Sequence, residues 1–378
     1  MKKVFTISSV LLILTLAFVG VYYFAFKNNA SNPVADPVKK EAAKQEESIP
    51  ILAPEGRLMP VMSEEVVGAV LSGERIFFYS KRDAAFKSAN LEGREVTTLF
   101  SDLPGTPTRV LWSPKRDRAL ALVQNDSGSR WYSVSLEGKT ATPLKPELSR
   151  LAWTNLGDGI LYQYTDPGSG KGSLDMAAPD GSNWKKLADL GEGSSFITPV
   201  PQSSLISFWK HPNGLEKNRL ETITLTGDGK KALFADRFGT DFLWSKDGNR
   251  LLVGSVTEKG KFEPSLGVAN GNGGEYRDLL VPTLVSKTVW GKDHQTIFYA
   301  LPNPFPREAV LPNDYYGKPI YTKDTFWKMD VTTGKKARLI PLDELKEGVD
   351  ATDLFLSSDE STLFFTDRVS SRLYRISF

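Results

Sequence analysis

The residues able to do chemistry are few. The chain of 378 residues carries two histidines, His211 and His294, and no cysteine. Thiolate nucleophiles, disulfides and cysteine-held metals are therefore excluded. A histidine-rich metal centre is excluded by count, and a Ser-His-Asp triad has little to draw on. His211 lies in "WKHPNG" and reads as a solvated strand-end residue, and His294 lies in the polar turn "GKDHQT". No G-x-S-x-G elbow is present. The segment "PGSGKGS" from Pro167 lacks the spacing of a phosphate loop and the hydroxyl residue after Lys171, so it reads as a flexible turn. No calcium-loop pattern occurs. Neither a cofactor nor a metal is expected. Paired carboxylates have no spacing from which they could be read.

The segment most suited to a binding role is an insertion of about twenty residues, "PNPFPREAVLPNDYYGKPIYTKD", from Pro302 to Asp324. It sets Phe305, Tyr315, Tyr316 and Tyr321 beside Arg307, Asp314 and Lys318. Aromatic rings with interspersed charge suit contact with a protein or a glycan. These seven residues are the candidate ligand-binding set. The alternative is a loop folded back to brace its neighbours, since long loops in compact domains are functional or structural devices in their own right.

The elements that must position this insertion are repeats. A short apolar stretch, often ending in Trp, precedes a polar turn and a strongly apolar strand. The unit reads "VLWSPKRDRALALV" from Val110, "LAWTNLGDGILYQY" from Leu151 and "FLWSKDGNRLLVGS" from Phe242. It returns from Thr288 and Leu354, with weaker copies from Ala69 and Phe196. Taking Ile76, Ala119, Ile160, Leu205, Leu251, Ile297 and Leu363 as register marks, successive spacings are 43, 41, 45, 46, 46 and 66. Each unit continues into a hairpin with a turn glycine, at Gly93, Gly138, Gly181, Gly229, Gly273 and Gly334. Glycine supplies the positive φ that tight hairpins need. The seventh unit ends at "SRLYRISF", one strand short, and "RLMPVM" from Arg57 is the strand expected to complete it. Closure of that kind removes exposed sheet edges. Trp112, Trp153, Trp244 and Trp290 recur at one repeat position and are expected to pack between neighbouring units.

The turns "WSPKRD" at Trp112 and "WSKDG" at Trp244 resemble the TolB-like, or WD40-like, propeller repeats, over roughly residues 57–378. The resemblance implies an all-β, seven-bladed β-propeller. It also implies two kinds of role, periplasmic interaction proteins and gating domains of peptidases, without choosing between them.

Before the repeats, Val4 to Phe26 form an uncharged run of 23 residues. As a helix this is about 34 Å long, enough for a hydrocarbon core of about 30 Å. Bulky Tyr22, Tyr23, Phe24 and Phe26 end it, which favours an uncleaved transmembrane signal anchor over a cleaved leader. Residues 27–50 are polar, with Pro, Lys and Glu, and read as a flexible linker. The expected organisation is thus an anchor at 1–26, a linker at 27–50 and a propeller at 51–378. The charge balance, 47 basic against 45 acidic residues, argues against a nucleic-acid partner. The whole reads as a single-pass membrane protein with a monomeric extracytoplasmic propeller that binds protein or cell-envelope polymer. It reads more readily as a non-enzyme. The alternative is a propeller hydrolase or lyase acting on glycan or peptide through channel-facing carboxylates.

Overall fold

A computed structural model describes residues 57–378, apart from 126–127, 346–347 and the side chains of 235–236. The expected anchor (1–26), the linker (27–50) and the first six residues of the expected propeller segment lie outside the described residues. Among the described residues no helix is long and apolar enough to cross a membrane.

The described chain is almost wholly antiparallel strand, arranged as three four-stranded and two seven-stranded sheets. Within each sheet the strands pair in sequence order, except where Arg372–Ser377 meets Leu58–Ser72. The apolar second strand of each repeat is buried on both faces: Ile76, Ala119, Ile160, Leu251, Ile297 and Leu363 are all inaccessible. Burial between stacked sheets is why these strands read as continuous apolar runs and not as alternations. Each first strand pairs with its second as the register marks require, Trp112 with Ala119, Trp153 with Ile160, Trp244 with Leu251 and Trp290 with Ile297. The fourth repeat differs. Pro199 pairs with Ile206, so the buried mark is Ile206 and Leu205 is only partly covered. The turn there lacks a Trp to fix the register by eye.

The four tryptophans lock one unit onto the last. Trp112 donates its indole N–H to the Gly68 carbonyl at 2.7 Å, Trp153 to Leu111 at 2.9 Å and Trp290 to Leu243 at 3.2 Å. Trp244 donates to Ser207 Oγ at 2.9 Å. A buried indole needs such an acceptor, and here each acceptor lies in the preceding unit.

The ends of the described chain meet in one sheet. Strand Leu58–Ser72 pairs through Leu58, Met59 and Pro60 with Ile376, Arg375 and Tyr374, and through its second half with strand Arg75–Ser80. The first strand of the described chain thus supplies the strand that the last repeat lacks. Gly93 shows how closely it is held: its φ is 74°, and a Cβ there would lie 2.1 Å from the Val61 carbonyl oxygen. At the second hairpin the left-handed residue is Lys139 and not Gly138. Stacked four-stranded units closed in this way are the architecture of a β-propeller.

Candidate functional site

The insertion lies between strands Thr296–Leu301 and Thr325–Asp330, which pair directly with each other. It folds inward. Phe305, Leu311 and Tyr315 form a small core with Val256 and Leu284. A single helical turn, Asn313–Gly317, carries Tyr315 and Tyr316. Phe305 and Tyr315 meet edge to face with centroids 5.8 Å apart and are closed to solvent. Asp314 is spent locally, accepting from the Val310 N–H at 3.0 Å and pairing with Lys318 at 2.9 Å. Of the seven residues singled out in the sequence, Arg307, Tyr316, Lys318 and Tyr321 reach solvent.

A buried charge cluster fastens the insertion beneath. Lys287 is fully inaccessible and donates to Asp324 at 2.6 Å, Asp350 at 2.7 Å and the Ala351 carbonyl at 3.0 Å. Asp350 also accepts from the Tyr315 hydroxyl at 2.6 Å and from Arg368 at 3.0 Å. Burial works to raise both carboxyls. At Asp350 the surrounding donors, Lys287 foremost, win and its pKa falls; at Asp324 burial wins and its pKa rises. Arg368 in turn lies over the rings of Tyr315 at 4.2 Å and Tyr321 at 5.2 Å. Every polar group here has a partner, so the cluster is a brace.

A second constellation was not visible in the sequence. Three residues before each register Trp, or its equivalent, stand Gly68, Arg109, Arg150, Phe196, Asp241, Lys287 and Asp353. In five of these strands the pairing register slips here, as between Pro107 and Arg109 or between Phe238 and Asp241. Arg150 and Asp353 have left-handed backbone, with φ of 51° and 52°. A bulge re-aims a side chain. Arg109, Phe196 and Asp241 all line an open cavity of about 870 Å³ along the first strands. Lys287 is turned away to its two carboxylates.

The cavity wall is aromatic on one side. Phe196 stacks on Trp209 with centroids 5.6 Å apart, Trp209 meets Phe242 at 5.4 Å, and Phe196 meets His211 at 5.4 Å. His211 then reaches Tyr316 of the insertion at 6.5 Å. His211 is exposed just past the strand end, as read from the sequence, and its ring also joins this arc; partial desolvation and the charge of Arg150 both lower its pKa. His294 is in its polar turn, with Nδ1 3.9 Å from Asp247. Arg150 donates to Ser194 Oγ at 2.7 Å and lies 4.7 Å over the Phe196 ring.

The charged groups here are electrostatically displaced. Asp241 accepts from Trp209 Nε1 at 3.1 Å and from the Phe242 N–H at 3.0 Å, yet burial lifts its pKa to about 6. Asp353 is touched by water but surrounded by protein, and the same desolvation raises its carboxyl against the pull of Arg109. Arg109 is exposed but flanked by protein, which depresses its guanidinium, with Asp353 opposing. The Tyr316 phenol is pushed up by burial and by Asp241, while its hydroxyl donates to Ser286 Oγ at 2.9 Å. Among the described residues no group of three or more His, Asp and Glu is placed to hold a metal ion.

No family model and no curated protein matches the sequence. Solved structures do match in shape. An oligogalacturonate lyase from Vibrio parahaemolyticus superposes with TM-score 0.61 at 10% identity, over 85% of this chain and 93% of that one. An oligogalacturonate lyase in complex with manganese gives 0.58 at 14%, over 81% and 86%. A virginiamycin B lyase from Staphylococcus aureus gives 0.53 at 10%, over 85% and 98%. At such identities the likeness concerns shape and not activity, and what this chain shares with those proteins is the β-propeller fold.

Proposed function

We propose that the chain is a seven-bladed, membrane-anchored propeller that displays the insertion face outside the cytoplasm to bind protein or envelope polymer. Dividing the two seven-stranded sheets within strands Leu58–Ser72 and Lys231–Trp244 yields seven four-stranded units. The anchor at 1–26 and the linker at 27–50 would hold a monomeric domain just off the membrane. The observation that carries the binding role is the braced insertion. Its underside is fixed by Phe305, Leu311 and Tyr315 and by the Lys287 cluster, while Arg307, Lys318 and Tyr321 stand outward. A contact surface held rigid before binding loses little entropy on binding. Crosslinking capture from intact cells tests it. The Arg307→Ala, Lys318→Ala, Tyr321→Ala triple variant is expected to fold normally and to lose its captured partner; undiminished capture removes the insertion as the contact surface.

Asp241 favours a second reading, a hydrolase or lyase acting on glycan or peptide. A carboxyl with pKa about 6 is suited to proton transfer near neutrality. Under that reading Asp241→Asn abolishes turnover of an oligosaccharide or peptide panel; no turnover by the parent chain on any member counts against it.

A further inference from the structure

Independently of the insertion face, we propose that the open cavity along the first strands is a binding site for a small organic anion with an apolar or aromatic body, its anionic group seated on Arg109. Charge, lining and an unused donor set all point this way. The cavity is walled by Leu111, Trp112, Leu151, Trp153, Phe242 and Trp244, so its occupant must offer apolar surface. Its charged lining is Arg109, Arg116 and Lys246 against Asp241 alone, three positive groups to one negative. The volume of about 870 Å³ falls within the range of small-molecule sites and is far more than an inorganic ion requires.

Arg109 is the open donor of the lining, exposed to solvent at the cavity. Arg116 donates from its two terminal nitrogens to the carbonyls of Ser113 and Leu71, with Nε buried and unpartnered, and Arg150 donates from Nε to Ser194 and lies over the Phe196 ring. The Arg109 side chain makes no hydrogen bond among the described residues, and its one opposing charge is Asp353. A guanidinium fork presents up to five donors suited to a carboxylate. A slipped register turns it to the cavity, exposed yet flanked by protein, beside the like charge of Arg150. Entry is through the first turns, where exposed Pro114 and Lys246 border the cavity.

The test is a titration of the full-length chain with 4-phenylbutyrate, 4-phenylbutanol and 4-phenylbutylammonium, followed by the emission of the cavity tryptophans at constant ionic strength. The carboxylate is expected to bind at least about tenfold more tightly than the alcohol, the yield of one charge-assisted hydrogen-bonded pair. The ammonium is expected to bind worst. Arg109→Gln should erase the margin between acid and alcohol while leaving alcohol binding and thermal midpoint unchanged, and Arg109→Lys should restore some of it. Equal binding of the three probes, no binding of any, or a margin that survives Arg109→Gln overturns the proposal. None of these outcomes bears on capture through Arg307, Lys318 and Tyr321.

Discussion

Single residues here carry opposite electrostatic duties. Lys287 is buried and fully paired, and its loss would strand two carboxylates in the interior. Breaking such a set by removing one member costs about 3–5 kcal/mol. Lys287→Met is therefore expected to lower the denaturant midpoint sharply, and an unchanged midpoint would show that the cluster relaxes freely. Asp241 has the reverse sign. Its folded pKa, about 6, lies above the ordinary 3.8, so the native state holds its proton more tightly than the unfolded chain does. Its contribution to stability is present below pH 3.8 and declines as pH rises through about 6. Asp241→Asn, which keeps the neutral form, should flatten that decline in a thermal midpoint series from pH 4 to 7. A parallel decline in both proteins would assign the effect elsewhere. These residues were illegible in the sequence for a physical reason. Asp241 sits at a slipped register, which breaks the alternation by which an inward side chain is recognised, and Lys287 ends the short 3-10 turn Val285–Lys287. The recurrence of charge three residues before Trp112, Trp153, Trp244 and Trp290 was the available signal.

At the scale of elements, the repeats were legible because burial on both faces of a strand forces continuous apolar runs, which survive sequence divergence. The insertion was located correctly, but its sidedness was not readable. Phe305 and Tyr315 alternate with Arg307 and Tyr316 in sequence, and only their packing on Val256 and Leu284 shows which turn inward. This gives a sharp contrast between adjacent tyrosines. Tyr315→Ala removes a buried ring and its bond to Asp350, and should cost about 3–5 kcal/mol in equilibrium unfolding. Tyr316→Ala, at a ring 42% exposed, should cost far less. Equal costs would mean the insertion is not anchored as described.

For the whole molecule, closure rests on the pairing of Leu58–Pro60 with Tyr374–Ile376. The matching of "RLMPVM" to an incomplete last repeat was readable because a missing strand leaves a countable gap. Removing residues 57–62 would bare the edge of Arg372–Ser377, and the shortened chain is expected to aggregate on heating, measured by light scattering, where the parent stays clear. The same joint has a mechanical meaning. Any pull delivered from the preceding polypeptide enters at Arg57 and runs lengthwise down strand Leu58–Ser72. Antiparallel bonds lie across the strand, so those on both flanks must slide together and cannot break in succession. A tether attached there would load the ring in shear, and the seam that closes it would then also bear the load.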